Sequence, residues 1–294
     1  MDQNKKKKKL KKTKSKVKKE TNNEQEEEWR KLAQKTAKKG LDVFLEELND
    51  ENIKWTETKT KGDINIWKRK VEGIKMDRVK MELWVPNITP KKLFKLFYVE
   101  EERMRYDTQF KRAYTLKHFQ PFEENEQLVC DFEQTKSLLG GSVSSRYMVD
   151  CRIIKNLENG AVLCGTNSLD DETKVGIKQL QVKGVRAFNY PSGFLMTPIT
   201  RSQWVEHIKI SPSKSKKRKK LTIGTGDPDQ VVATLVEMII CSDIGGKFPK
   251  KVINKFVSTI MLQSFGELID FINGPWRQIK KKEKKKKKLQ KKEN

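Results

Sequence analysis

Residue types that carry out catalysis or bind metals are sparse in this chain. It has two histidines, His118 and His207, and neither lies in a context that pairs a nucleophile with a base. The four cysteines have no CxxC spacing, and two histidines offer them little help in completing a metal site. We therefore predict no catalytic residues, no metal and no cofactor, and we expect buried, reduced thiols.

One glycine-containing stretch, Gly224-Thr225-Gly226-Asp227, raises the alternative of nucleotide binding. It lacks the full glycine fingerprint of a nucleotide site and the strand and helix that would flank one. A turn is the simpler interpretation. We predict that the protein is not an enzyme.

The net charge of +25 is concentrated in three short segments. Residues 1–20, 211–220 and 277–294 carry net charges of +9, +6 and +9, respectively. Together they account for 24 of the 25 net positive charges, so the rest of the chain is nearly neutral. A DNA-binding domain shows its basic residues on a folded face, whereas lysine runs repel themselves and are typical of disorder. We predict disordered tails at 1–23 and 277–294, a folded domain at 24–276, and a basic loop inserted at about 200–230.

The lysine-rich tails fit an anionic membrane surface, which attracts juxtamembrane lysines. Lysine dominates over arginine and no aromatic residues separate the charges, so we expect no specific nucleic-acid partner, although non-specific phosphate binding stays open. We see no signal peptide, no glycine in the second position for myristoylation and no apolar run of about 18 residues. These features predict a cytoplasmic monomer at the membrane periphery, or a nuclear protein if a basic run acts as an import signal.

Hydrophobic periodicity predicts the elements that must position any site. Residues 24–48 read as a helix on the outside of a sheet, and residues 53–86 as two or three strands. Thr89-Pro90 then supplies the N-cap and first turn of a short helix. Further strands are predicted at 113–118, 127–134, 146–154, 161–166, 184–189, 193–199 and 231–241. The pattern indicates an α+β fold with an antiparallel meander.

The last folded element carries the clearest periodic signal. Apolar residues recur at three- and four-residue spacing from Val252 to Ile272, which predicts an amphipathic helix of about six turns. Gly274-Pro275 marks its end. Periodicity alone favours an ordinary core helix.

Four motifs occur in chain order along the folded part. They are Arg105–Asp107, Ser144–Val149, Val185–Phe188 with Ser192–Pro198, and Ser242–Pro249 before the last helix. Together they resemble the START (StAR-related lipid transfer) domain family over roughly Trp29 to Ile272. The sequence departs from the family at Tyr147, where the family commonly has Asp, and in the longer insertion after Pro198.

The resemblance implies a helix-grip fold, in which a curved antiparallel β-sheet wraps around a long C-terminal α-helix and encloses a lipid cavity. It implies a carrier that binds one lipid, a sterol or a phospholipid, and transfers it between membranes with the C-terminal helix as lid. A membrane-associated lipid sensor is the alternative. The apolar stripe of the helix then supplies lining residues, which are Ile253, Phe256, Ile260, Met261 and Phe265.

Two charged residues have conflicting interpretations. When the sequence is aligned with the family at the position of Arg146, two charged residues, Glu133 and Arg152, fall at positions where some sterol-binding members resemble each other. Those members have an internal carboxylate and an internal guanidinium there. Strand alternation instead groups them with other charged residues on a face that should be solvated, where an ion pair has little energetic weight. Inside a cavity they would have to pair, since a lone buried charge costs several kcal/mol.

The loop Leu138, Leu139, Gly140 and Gly141 combines leucines with flexible glycines. We interpret it as a gate at the cavity mouth that touches the membrane. The alternative is a glycine turn whose leucines pack inward.

Overall fold

The computed structural model describes residues 3–120, 123–137, 141, 143–210, 227–246 and 250–276. Its helices are α1 (Gln3–Asn49), α2 (Pro90–Tyr98), α3 (Glu100–Arg103), α4 (Arg201–Ile210) and α5 (Lys250–Phe271). A 3-10 turn spans Glu172–Val175, and a π-helical turn, Ile272–Trp276, follows α5.

The strands are β1 (Thr56–Lys61), β2 (Ile64–Arg69), β3 (Arg78–Pro86), β4 (Phe110–Phe119), β5 (Glu126–Thr135), β6 (Arg146–Asn156), β7 (Val162–Ser168), β8 (Val185–Arg186), β9 (Phe188–Asn189), β10 (Ser192–Thr200), β11 (Val231–Ile240) and β12 (Ser242–Asp243). The large sheet has the order β1-β2-β3-β11-β10-β7-β6-β5-β4, and every neighbouring pair in this order is antiparallel. The short strand β8 adds to β6 in parallel, and β9 pairs with β12 in a small separate sheet.

One face of the large sheet, called the outer face here, is covered by α1. Apolar residues of α1 pack against alternate residues of β5, β6 and β7, as predicted for a helix outside the sheet. This core includes Ala33, Ala37, Leu41 and Phe44 from α1 with Leu128, Cys130, Phe132, Val149, Cys151, Ile153 and Leu163 from the strands. Burial of these side chains stabilises the attachment of α1, since apolar area removed from water contributes about 25 cal/mol per Å².

Two glycines allow α1 to approach the sheet at backbone distance. A Cβ atom on Gly40 would lie 2.2 Å from the carbonyl oxygen of Thr166, and one on Gly165 would lie 2.4 Å from the Cβ of Leu41. Such separations are far inside van der Waals contact. The sequence therefore places glycine on both sides of the contact because no side chain fits there.

The opposite face, called the inner face, is covered by α5 and α2. Met261, Phe265 and Leu268 of α5 and Leu93 and Leu96 of α2 belong to one core with inward residues of the strands. The strand residues of that core include Ile64, Met81, Leu83, Val85, Met196 and Val236. The sheet is thus sandwiched between two helical layers, and neither face of its central strands is open to water.

Three features differ from the sequence-based expectations. Helix α1 begins at Gln3, whereas we expected a disordered tail over 1–23 and a helix from Glu24; lysine is a good helix former, which allows the anchored helix to extend. Helix α4 occupies the start of the expected loop at 200–230, because Trp204 packs against Trp84 on the sheet. Cys130 and Cys151 are opposite each other in register and form a disulfide, so our prediction of reduced thiols is wrong for this pair.

Some predicted segments lie outside the described residues. They are the tail 277–294 and residues 211–226 of the basic insertion.

Candidate functional site

A cavity of about 310 Å³ lies between the inner face of the sheet and helices α2 and α5. Its walls are mainly apolar and aromatic. The apolar lining includes Phe94, Phe97, Phe194, Met238, Ile240, Val257, Ile260, Met261, Phe265 and Leu268. Cavities of this kind bind small molecules whose apolar part is withdrawn from water.

The stripe of α5 that faces the cavity contains three of the predicted lining residues. Ile260, Met261 and Phe265 line it, and Phe265 packs against Phe97 of α2 with ring centroids 5.4 Å apart. Ile253 does not line the cavity. It lies two turns nearer the start of α5 and packs with Met76 and Cys241, where the stripe contacts core only. The side chain of Phe256 lies outside the described residues.

A layer of charged side chains forms the polar end of the cavity. Glu133 of β5 and Arg152 of β6 both line it and are only 15% and 17% exposed, respectively. Glu133 is opposite Met148 and Arg152 is opposite Val129, so the two are offset by four residues along the strands; the guanidinium reaches along the sheet and places Nη2 of Arg152 3.8 Å from Oε2 of Glu133. The structure therefore brings together the two charged residues named from sequence.

Alternation along the strands gives the wrong environment for this charged face. The apolar face with Cys130 and Phe132 is the outer one and is sealed by α1, so the charged face turns toward α5 and lines the cavity. Alternation separates two faces of a strand but does not say which one meets water. Here neither face does.

Arg152 contacts two further carboxylates. Its Nε lies 3.7 Å from Oδ2 of Asp131, and its Nη2 lies 3.5 Å from Oδ2 of Asp150. The hydroxyl of Tyr98 donates to Asp131, and the Arg152 guanidinium lies over the Tyr98 ring. Burial alone would lower the pKa of Arg152, but the charges of Asp131 and Asp150 outweigh it and raise that pKa above its usual value.

Glu133 has a second cationic partner that the sequence does not reveal. Nη1 of Arg103 lies 2.9 Å from Oε1 of Glu133, and Nε of Arg103 lies 3.1 Å from Oδ2 of Asp107. Burial acts to lower the pKa of Arg103, yet Glu133 and Asp107 hold it above its usual value. Asp107 belongs to one of the four motifs, whereas Arg103 precedes that motif and reaches the cavity only through the tertiary placement of α3.

The third buried carboxylate, Asp150, is held by neutral donors as well as by Arg152. The hydroxyl of Ser168 donates to its Oδ1 at 2.5 Å, and the side-chain amide of Asn189 donates to its Oδ2 at 2.7 Å. Asp150 is 1% exposed and lines the cavity. Asp150 lies on the same face of β6 as Arg152. Strand alternation could therefore have predicted Asp150 as a site residue together with Arg152.

Two polar atoms of cavity-lining residues have no hydrogen-bond partner among the described residues. They are the hydroxyl of Thr166 and Nε of Arg152, and both residues line the cavity. Buried polar groups in folded proteins nearly always have a partner. A donor and an acceptor are therefore left unused at the polar end of an otherwise apolar cavity.

The predicted gate loop is described only in part. Gly141 is exposed and has a φ of 94°, a left-handed conformation that favours glycine. Leu138, Leu139 and Gly140 lie outside the described residues.

The described ranges contain no metal-binding cluster and no membrane-spanning helix. In those ranges no group of three or more His, Cys, Asp or Glu side chains is arranged to hold a metal ion. The helices described there include none that is both long and apolar enough to span a membrane.

Comparison with known proteins identifies the fold. A family model described as START domain matches residues 13–273. Human StAR-related lipid transfer protein 5 superposes with a TM-score of 0.58 at 16% identity, covering 82% of this chain and 96% of that one. Human STARD10 gives a TM-score of 0.53 at 14% identity, with 81% of each chain covered.

A STAR-related lipid transfer protein from Xanthomonas axonopodis, a fragment, gives a TM-score of 0.50 at 15% identity and covers 74% of this chain and 98% of that one. A comparison with curated protein sequences finds no significant match. At these identities, similarity to solved structures is evidence for the fold alone. It confirms the predicted helix-grip arrangement of a large antiparallel sheet and a C-terminal helix. Since the family model spans most of its length, the chain belongs to the START domain family.

Proposed function

We propose that this protein binds one lipid in the cavity beneath α5 and transfers it between membranes. The observation that carries the proposal is the apolar cavity in a START fold, roofed by a helix whose stripe of Ile260, Met261 and Phe265 lines it. A lipid in water exposes methylene groups at about 0.8 kcal/mol each, so a carrier must offer an apolar enclosure. The names of the similar structures describe lipid transfer proteins, which supports this role.

The size and charge of the cavity favour a compact lipid with an uncharged polar group. A volume of about 310 Å³ is near the lower end of the ~300–1,000 Å³ range of small-molecule sites. The charged residues that line it are three arginines and three carboxylates, Arg103, Arg146 and Arg152 with Asp107, Glu133 and Asp150. A phosphate would bring negative charge to a set that is already balanced.

A hydroxyl group matches the unused polar atoms better than a phosphate does. It would accept from Nε of Arg152 and donate to the hydroxyl of Thr166, the two atoms without a partner among the described residues. Within the two lipid classes named above, a sterol is therefore favoured over a phospholipid. In this proposal the ion-pair network orients the hydroxyl and performs no chemistry, so the protein acts as a carrier and not as an enzyme.

The lysine-rich tails supply the proposed membrane contact. Each lysine near an anionic leaflet contributes about 1 kcal/mol, and the segment 277–294 carries a net charge of +9 immediately after α5. Attraction of this segment would bring the roof of the cavity to the bilayer. A cytoplasmic location with peripheral membrane association follows from this role.

A liposome transfer assay tests the proposal with a matched pair of variants. Donor liposomes contain either a fluorescent sterol or a fluorescent phosphatidylcholine. Ile260→Asp places a charge inside the cavity and should abolish sterol extraction, because a lone charge in an apolar site costs several kcal/mol. Thr259→Asp places the same charge on the exposed side of the same helix, beside Lys59, and should extract sterol normally.

The outcomes separate the alternatives. Normal extraction of both lipids by a folded Ile260→Asp protein would reject the cavity, and extraction of phosphatidylcholine in preference to sterol would reject the proposed lipid class. Binding without transfer to acceptor liposomes would indicate a sensor instead of a carrier. Removal of residues 277–294 should slow transfer between anionic liposomes more than between neutral ones, and equal slowing would reject the role of that tail.

A further inference from the structure

A second and larger depression lies outside the sheet, on the side of α1. This outer cleft has a volume of about 640 Å³ and is separate from the lipid cavity. Its lining comes from α1 (Leu32, Lys35, Thr36, Lys39), the end of β7 and the following turn (Asn167, Ser168, Leu169, Asp170, Asp171, Lys174), and β9 with the next residues (Phe188, Tyr190, Pro191). Nothing in the proposed lipid-carrier function uses it.

Three ammonium groups are placed around the outer cleft. Lys35 and Lys39 are four residues apart on α1 and so project from the same side of the helix, and Lys174 lies across from them in the 3-10 turn. Within the described part of the chain, none of the three has a carboxylate oxygen at ion-pair distance. Lys174 interacts with Asp171 at longer range only. The cleft can therefore receive anionic groups without breaking an ion pair.

Acceptors for hydroxyl groups lie beside these cations. Asp170 is an exposed carboxylate on the rim. Asn167 is more than nine-tenths buried in the floor, and its side-chain oxygen has no hydrogen-bond partner among the described residues. Asp171 is already used, because it accepts from the backbone N–H and the hydroxyl of Thr173. The cleft thus combines cations that suit phosphate groups with acceptors that suit hydroxyl groups.

The aromatic wall distinguishes between phosphorylated ligands. Phe188 and Tyr190 contact each other edge to face, with ring centroids 5.4 Å apart and an interplanar angle of 68°. Two rings in this arrangement form no parallel slot for a nucleotide base. They offer an uneven apolar wall that suits the C–H face of a saturated ring.

We propose that the outer cleft binds a phosphorylated polyol of the inositol phosphate class. Lys35, Lys39 and Lys174 hold the phosphates, and Asp170 and Asn167 accept hydrogen bonds from ring hydroxyls. The same chemistry occurs in a soluble inositol phosphate and in the headgroup of a phosphoinositide lipid. The two sources differ in whether the ligand is anchored in a membrane.

The variants that test this proposal are chosen away from the lipid cavity. Ser168 lies in the floor of the cleft but donates to Asp150 of the cavity, so changing it would disturb both sites. The lysines and Asp170 are exposed, and their replacement leaves the cavity untouched. Failure of this proposal is therefore distinguishable from failure of the lipid-carrier function, and sterol extraction should remain normal in every cleft variant.

Binding of inositol trisphosphate to the full chain is measured by calorimetry. Lys35→Gln with Lys39→Gln should weaken binding about a hundredfold, since each charge-assisted contact is worth about tenfold. The matched control is Lys91→Gln with Lys111→Gln, which removes the same charge from exposed positions of α2 and β4, elements that contribute no residue to the cleft. It should change the dissociation constant less than about twofold, because long-range charge effects are screened. Equal weakening by both pairs would show that lysine runs bind the probe without a site, and would overturn the proposal.

Recognition of the hydroxyls is tested with Asp170→Asn and two probes. Inositol trisphosphate should bind this variant less tightly, whereas inorganic pyrophosphate, which has no ring hydroxyl, should bind equally or more tightly because a repulsive charge is removed. Tighter binding of both probes would overturn the polyol assignment.

Vesicles with phosphatidylinositol bisphosphate then distinguish the sources. Phosphatidylserine vesicles of equal surface charge measure the binding that is due to the lysine-rich tails. Retention by the phosphoinositide vesicles beyond that level, lost in the Lys35→Gln, Lys39→Gln variant alone, supports a lipid headgroup. Binding of the soluble probe without such retention supports a soluble ligand.

Discussion

The two faces of the sheet solve opposite packing problems, each with one long helix. On the outer face α1 approaches so closely that Gly40 and Gly165 leave no room for a Cβ atom. On the inner face α5 is held far enough away to leave a cavity of about 310 Å³. One helix fixes the strands in place, and the other covers a space that a ligand can fill.

Charged side chains are also distributed unequally between the outer and inner faces of the sheet. The outer core beneath α1 is apolar, with Cys130, Phe132 and Val149 among its buried strand residues. The inner face of the same strands carries Asp131, Glu133, Asp150 and Arg152. A face of the sheet that packs directly against a helix needs apolar side chains of complementary shape. A face that lines a cavity has room for charged groups, provided that they neutralise one another.

The largest expected effect breaks that neutralisation. Arg152→Leu removes the cation that lies within 4 Å of three carboxylates; Glu133 keeps Arg103 as a partner, whereas the buried Asp131 loses the guanidinium beside it. Loss of one partner from a buried ion pair costs about 3–5 kcal/mol. We expect the free energy of unfolding, measured by urea denaturation, to fall by about that amount.

Arg105→Leu is the matched control for this change. Its partner Glu102 lies on the surface, 34% exposed, and pairs with Arg105 at 2.8 Å. A surface pair contributes about 0–1 kcal/mol, so the control should unfold almost as the unaltered protein does. A loss below about 1 kcal/mol for Arg152→Leu as well would mean that the inner charges are solvated and that the two faces do not differ as described.

A pair of glycine variants sharpens the contrast in packing. Gly40→Ala puts a Cβ 2.2 Å from the Thr166 oxygen, and overpacking of this kind costs about 1–3 kcal/mol. Gly266→Ala in α5 puts a Cβ where nothing lies within 4 Å, so the better helix propensity of alanine should stabilise the protein by about 1 kcal/mol. The same urea measurement should show shifts of opposite sign. Shifts of the same sign would contradict the close approach of α1 or the open side of α5.

Much of the fold could be predicted because its signals are local. The spacing of apolar residues along the sequence predicts the apolar stripe of α5 and the strands β5 to β7. The structure places Ile260, Met261 and Phe265 of that stripe at the cavity. Helix α4 was missed inside the basic insertion, although Trp204 and Ile208, four residues apart, carry a helical signal.

The polar end of the cavity was less predictable because it depends on contacts between distant segments. Tyr98 and Arg103 come from α2 and α3, and the packing of α2 against β7 and β10 and of α3 against β4 brings them to Asp131 and Glu133. No spacing in the sequence encodes that contact. The facing of Glu133 and Arg152 was likewise undecided, because it depends on α1 covering the other side of the sheet.

The smallest expected effect concerns how α5 is attached. Both helices combine core packing with polar contacts: Glu47 near the end of α1 pairs with two arginines of the sheet, and α5 has polar contacts near both of its ends. Near its start, the side-chain oxygen of Asn254 accepts from the backbone N–H of Asp77 at 3.1 Å. Near its end, Glu267 accepts from the backbone N–H and the hydroxyl of Thr108 at 2.9 and 2.8 Å.

Acid should therefore loosen the end of α5 before the middle of α1, where Ala33 and Ala37 pack against the sheet, and the α1 amides to compare are those of this middle part. Burial acts to raise the pKa of Glu267, but hydrogen bonds from Thr108 and Gln263 hold it below the ordinary value of 4.5. A lowered folded-state pKa means that the contact stabilises α5 fully above about pH 4.5 and is lost as the pH falls through the folded-state value. Hydrogen exchange at falling pH should show amides of α5 losing protection while those of α1 keep theirs. Glu267→Gln should remove this pH dependence, whereas Glu46→Gln at an exposed position of α1 should preserve it. Simultaneous loss of protection in both helices would show that the two faces of the sheet open as one unit.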